Sequence, residues 1–151
     1  MVMQGSKADL LQHCIAVASS RVQALDDELA YLRDAAGAEG RSTAGDKHET
    51  GRAMVHLEQE KLTRQRAEAK ALLAELERTV AIGTARIGIG SLVVTQCGTF
   101  LIAAGLGKVE WSGGEVFVLS PKAPVAAALM GHAVGETVSA NGTVFRVEEV
   151  T

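Results

Sequence analysis

Residues 11–32 read LQHCIAVASSRVQALDDELAYL, and Leu11, Ile15, Ala18, Val22, Leu25, Leu29 and Leu32 recur in it at alternating steps of four and three. That spacing is the a/d seam of a coiled coil, so the stretch predicts a long helix with one narrow apolar stripe. The pattern stops at Asp34. The following run, Ala35 to Gly45, is small and glycine-punctuated and reads as a loop. A second seam begins near Asp46, with Val55, Leu62, Ala69 and Leu76 seven residues apart and Leu72, Leu73 and Val80 thickening its far end. Glu58, Glu60, Lys61, Arg64, Arg66, Glu68 and Lys70 fill the outward face, which reads as solvated surface. Two such helices, each on the order of 40 Å long at 1.5 Å per residue, pack most simply as an antiparallel hairpin. A two-helix seam buries little, so its open end needs support from elsewhere.

The rest of the chain supplies a candidate. From Ile87 the period shortens to strand-like runs: Ser91–Thr95, Thr99–Ala103, Glu115–Leu119, Glu136–Ala140 and Thr143–Val150. Gln96-Cys97-Gly98 and Ser112-Gly113-Gly114 read as turns, and Asn141-Gly142 is a strong hairpin signal. Pro124 opens a short helix over Val125 to Met130 that Gly131 closes. The stretch GKVEWSGG before the third run reads as a polar turn carrying Trp111. Gly88-Ile89-Gly90 reads as a hinge between domains, because a phosphate loop there would need a preceding strand and a following helix. The expected class is α+β: a coiled-coil hairpin over residues 1–84, then a small antiparallel sheet domain with one short helix over residues 85–151.

Composition narrows the functions. The chain has 151 residues, 22% of them charged, with a formal net charge of −3. It lacks the clustered Lys and Arg that neutralise phosphates, so tight direct nucleic-acid binding is not expected and a protein partner is. No apolar run is long enough to span a bilayer and no leader pattern is seen, so a cytoplasmic protein without a membrane partner is expected. Aromatics amount to 3%, too few to line an apolar isomerase pocket comfortably. Cys14 and Cys97 are far apart and form no metal-ligand spacing, which predicts two buried or half-buried free thiols. His13, His56 and His132 show no ligand spacing either, and His48 reads as a loop residue.

Residues 119–135 read LSPKAPVAAALMGHAVG. With the closing hairpin TVSANGTVFRVEEV, they resemble the C-terminal domain of the Gre transcript-cleavage and elongation factors of bacterial RNA polymerase. Ser120, Pro121, Pro124, Ala128, Leu129, Gly131, Val134, Gly135 and Glu136 occupy the family's motif positions. The match covers about half of the chain in motif and all of it in expected layout. It implies an FKBP-like sheet domain that grips RNA polymerase, with Ser120, Pro121 and Pro124 as candidate contacts. Trp111 is a further candidate, because tryptophan is enriched at binding hot spots.

The hairpin carries a second, shorter likeness. Gre hairpins present Gly-Asp-x-x-Glu-Asn at the tip, whose two acids assist the catalytic Mg²⁺ of the polymerase. Gly45-Asp46-Lys47-His48-Glu49-Thr50 has the same Asp-x-x-Glu spacing. Residues at i and i+3 share one side of a helical turn, and Mg²⁺ takes carboxylate oxygens from one or two protein groups. Asp46 and Glu49 are therefore the expected metal-assisting pair, sharing the polymerase's Mg²⁺ and holding no metal alone. The same spacing is also a capping box, with Asp46 as N-cap and Glu49 at the third helical position. Thr50 stands where the family has Asn, and Arg52 or Ala53 where it has an aromatic residue. The resemblance implies a factor that modulates paused or backtracked complexes without an active centre of its own. The alternatives are a polymerase-binding regulator that does not stimulate cleavage, an FKBP-like binding or chaperone domain on a helical scaffold, and a plain coiled-coil scaffold.

Overall fold

The computed structural model describes the backbone of residues 5–40, 45–81 and 83–151, and their side chains except at 36, 38–40 and 45–49. Two helices, α1 (Lys7–Gly40) and α2 (Gly45–Arg78), precede six strands: β1 (Leu92–Thr95), β2 (Gly98–Ile102), β3 (Gly107–Trp111), β4 (Gly114–Leu119), β5 (Thr137–Ala140) and β6 (Thr143–Val150). A third helix, α3 (Pro124–Leu129), lies between β4 and β5. The α+β class follows directly. Contacts divide the chain into two units, one of Met1–Ala16 with Leu72–Thr151 and the other of Val17–Ala71.

In the first unit the sheet order is β3-β4-β2-β1-β6-β5. Every neighbouring pair is antiparallel except β2 with β4, which run parallel with Phe100 opposite Phe117. The sheet is thus mixed where a purely antiparallel one was expected. The reason is the unforeseen strand β3. It forms a hairpin with β4 through Ser112-Gly113, both with positive φ, and that reversal delivers β4 to β2 in the parallel sense. β3 escapes a sequence reading because it is an edge strand with a single fully buried residue, Val109, among polar neighbours.

Side chains alternate between the two faces of a strand, and both faces of this sheet's centre are buried. On one face Val93, Phe100, Ile102, Val138, Phe145 and Val147 close around Ile87 and the inner side of α3, Ala126 and Leu129. Phe100 meets Phe145 edge-on at 5.8 Å and Phe117 at 5.7 Å. The opposite face carries Leu101, Val109, Val116 and Val118, all 6% exposed or less. Trp111 shares that face with Val109, two residues earlier, and its ring stacks on His13 of α1 at 5.3 Å. The start of α1 therefore covers the second face. This explains why the buried stripe of α1 broadens there to Leu10, Leu11 and Cys14, and why Leu76 of α2 is fully enclosed. The expected support for the open end of the hairpin is the sheet itself.

The segment expected to be a hinge is fastened. Ile87 exchanges backbone hydrogen bonds with the end of α3, donating to the His132 carbonyl and accepting from Gly131, both at 2.8 Å. Gly90 donates to the Ile102 carbonyl at 2.6 Å. It is buried with φ +94, and any Cβ there would run into the carbonyl oxygen of Val80. The apolar group at Ile87 outweighs the flexibility that two nearby glycines suggest.

Local signals account for the small elements. Pro124 occupies the first turn of α3, as expected from its preset φ. Asn141 and Gly142 have φ values of +52° and +76°, the paired positive angles of a tight β5–β6 turn. Gln96 extends the sheet beyond the β1–β6 bulge, its amide donating to the Val144 carbonyl and accepting from the Arg146 N–H.

The second unit is the shaft of the hairpin. Among its described residues only Ala18 and Leu62 are fully buried, while Val22, Leu25, Leu29, Leu32, Val55 and Ala69 are half-buried. Asp26 and Arg66 form an ion pair across it, which a short link permits only between antiparallel helices. Helix α1 continues through residues 35–40, six beyond the point where the seam ends. Alanines at 35, 36 and 38 sustain it, since helix propensity does not depend on a buried stripe. The expected loop residues Arg41 to Ala44 lie outside the described residues.

Burial also sets the chemistry of the thiols. Cys14 is fully enclosed as expected and its thiol is pushed up to about 11 by desolvation, whereas Cys97, expected to be at least half-buried, is exposed because it sits at the tip of the β1–β2 turn. A thiol reagent should modify Cys97 alone in the native protein and reach Cys14 only on unfolding. Between pH 9 and 11 the unfolded Cys14 ionises while the folded one keeps its proton, so its contribution to stability declines through that window. Denaturation midpoints across that range should carry this slope in the wild type and lack it in Cys14→Ala.

Candidate partner-binding site

A turn joins β4 to α3. Pro121 takes its second position, and the Ala123 N–H donates back to the Ser120 carbonyl at 3.0 Å. The Ser120 hydroxyl accepts from the Lys122 N–H at 3.2 Å, so its side chain shapes the loop. Pro124 starts α3 and is itself exposed. Two prolines restrict the backbone of the loop, which leaves Lys122 and Pro124 exposed and Pro121 half-buried.

Beside it lies a cleft of about 500 Å³, lined by Glu75, Arg78 and Thr79 at the end of α2 and by Ile89, Ala103, Ser120, Pro121 and Lys122. Ile89, one of its lining residues, is 62% exposed. Arg78 and Lys122 form no ion pair among the described residues. A lining with exposed Ile89, two cations outside any ion pair and one acid, Glu75, suits a partner surface that is part apolar and part charged. Sequence reasoning identified Ser120 and Pro121 but not Ile89 or Arg78. Those two join the cleft only through the packing of the α2 terminus beside the sheet.

Trp111 is placed otherwise. Its ring is stacked on His13, and a Cβ at Gly5 would approach it to 2.8 Å, so α1 and the residues before it cover much of its surface. The half-buried ring borders a second, open cleft of about 460 Å³ with Glu110, Ser112 and Glu115. The candidate contacts therefore do not form one patch: Ser120, Pro121 and Pro124 share a loop, and Trp111 closes α1 onto β3.

The two acids lie elsewhere again. Helix α2 begins at Gly45, so Asp46 and Glu49 both fall in its first turn, with Asp46 inside the helix rather than ahead of it. Their side chains lie outside the described residues, as do those of Lys47 and His48. Among the described residues no three His, Cys, Asp or Glu side chains gather in a metal-binding group. No helix among them is long and apolar enough to cross a membrane.

No family model matches the chain, and no curated protein matches it. Solved structures do. GreA factor homolog 1 of Thermus thermophilus aligns over 98% of this chain and 96% of its own at 20% identity, with a TM-score of 0.35. A second structure, of the transcription factor Gfh1, aligns over 99% and 95% at 18% identity and a TM-score of 0.36. Gfh1 of Thermus aquaticus aligns over 95% and 92% at 20% identity and a TM-score of 0.35.

Proposed function

We propose that this chain is a Gre-type RNA polymerase-binding factor, without an active centre of its own, that modulates paused or backtracked transcription complexes. The observation that carries the reading is the placement of Asp-x-x-Glu on the first helical turn after the bend of a long two-helix hairpin. The Gre-like loop Ser120–Pro124 sits in the other unit. One module grips and the other carries acids. The sheet unit docks through that loop and its cleft, where Ile89, Pro121, Arg78 and Lys122 meet a partner surface that is part apolar and part charged. The hairpin enters the channel leading to the polymerase active centre.

A Mg²⁺ ion belonging to the polymerase would supply the Lewis acid, and two carboxylates on one turn suit the oxygen preference of that ion. Within this chain, Asp46 and Glu49 add negative charge and orient water at the bend. Lys47 and His48 between them, and Thr50 where Gre factors carry Asn, favour a second outcome in which the factor binds and regulates without stimulating cleavage.

Capture of core RNA polymerase by the tagged chain, with rescue of stalled complexes assayed in parallel, tests both. Asp46→Ala and Glu49→Ala should retain capture and lower rescue by roughly ten- to a hundredfold. Capture by the wild type with no rescue to lose identifies the non-cleaving regulator. Failure to capture polymerase at all sinks the proposal.

A further inference from the structure

The sheet ends at β3 on a bare edge. In the order β3-β4-β2-β1-β6-β5 the only strand beside β3 is β4, whereas β5, at the other edge, packs against α3. Residues on either side of a two-residue turn hydrogen-bond to each other, so Trp111, Val109 and Gly107 aim their N–H and C=O groups at β4. Lys108 and Glu110 aim theirs outward. Among the described residues no backbone group outside the sheet bonds to them.

An unpaired edge recruits another strand unless something on it repels the newcomer. Charges of one sign would repel a second copy of this chain. β3 instead carries both signs two residues apart, Lys108 and Glu110, on one face of the strand. Laid antiparallel on a second β3 about Val109, each Lys108 stands opposite the Glu110 of the other copy. These are also the residues with outward backbone groups, so charge match and hydrogen-bond phase select the same register.

Glu110 has no such neighbour within its own chain. Across the hairpin it faces Glu115, a like-charge pair that disfavours the pairing, and Lys108 bridges Glu115 at 3.4 Å. Among the described residues Glu110 forms no ion pair. The ends of the strand fit as well. The same register sets Trp111 against the second copy's Gly107, at a position where facing side chains approach most closely. A Cβ at Gly107 would meet nothing within 4 Å, so room is open for the indole, and aromatic residues cover edge glycines in this way.

We infer that β3 is a self-association edge: two copies of this chain pair through antiparallel β3 strands centred on Val109, with reciprocal Lys108–Glu110 contacts. The interface is two-fold and short, so the dimer is weak and reversible. It does not depend on the polymerase reading.

Sedimentation and hydrogen exchange of the full chain test this. The mass should rise from monomer toward dimer as concentration increases about a hundredfold. Exchange at the Lys108 and Glu110 amides should slow over the same range, while Val109 and Trp111, already bonded to β4, do not change. Lys108→Glu alone and Glu110→Lys alone each set like charges together and should weaken self-association roughly tenfold. Mixing these two variants places opposite charges at every facing position and should give a one-to-one heterodimer as tight as the wild type. A merely structural role for either residue would not produce that rescue. A wild type still monomeric at about 1 mM overturns the inference, as does a mixture that fails to associate. Protection of the Lys108 and Glu110 amides at every concentration means that the edge is closed within one chain, and overturns it too.

Discussion

Replacing Leu76 by alanine is expected to lower the unfolding free energy by about 3 kcal/mol, within the ~2–5 kcal/mol usual for such truncations in a core. Leu76 is wholly enclosed at the end of α2, in the unit that also contains the sheet and the start of α1. Truncation removes buried methyl groups and leaves a cavity that two helix ends seated on a sheet cannot collapse to fill. Leu57→Ala is the matched control. It removes the same atoms from the same helix, but at a site 66% exposed, and should change stability by less than about 0.5 kcal/mol. Trp111 is the sole tryptophan and is stacked on His13, so its fluorescence reports denaturation of this unit. Equal midpoints for the two variants would mean that the α2 terminus does not pack with the sheet.

Gly90→Ala should be comparably damaging, by roughly 2–5 kcal/mol. Two effects combine. The φ of +94° is poorly accessible to a residue with a side chain, which costs about 1–2 kcal/mol. The added methyl must also displace the backbone at Val80, and overpacking of that kind costs about 1–3 kcal/mol. The carbonyl is not a flexible side-chain end that can step aside, and the Gly90 N–H is committed to Ile102. Gly88→Ala, two residues earlier, meets nothing within 4 Å and has no positive φ, so it should be neutral or slightly stabilising. A denaturation series over both variants would separate a required close approach from ordinary loop flexibility. Similar midpoints would show that α2 leaves the sheet unit by a path other than the one described.

Sequence and structure agree where local chemistry suffices. The a/d seam marks α1 and α2, the apolar runs mark five of the six strands, and Asn141-Gly142 and Pro124 place a turn and a helix start. Each of these signals is carried by residues a few positions apart in the chain. The candidate site is read from equally local signals: the turn Ser120–Pro124 and the Asp46-x-x-Glu49 spacing each span only a few residues of sequence.

What lay beyond such reading depends on partners distant in sequence. Lys108 and Glu110 make β3 look like solvent-exposed turn, and it becomes a strand because β4 offers it a ladder, with Trp111 packed against His13 of α1. The parallel pairing of β2 with β4 follows from that insertion. Trp111 gains its neighbours from the first helix, about a hundred residues away, and Ile89 and Arg78 reach the cleft only when the end of α2 lies beside the sheet. Hydrophobic spacing says which side of an element seeks cover. It is non-directional, and so leaves the identity of the covering surface to long-range packing and backbone pairing.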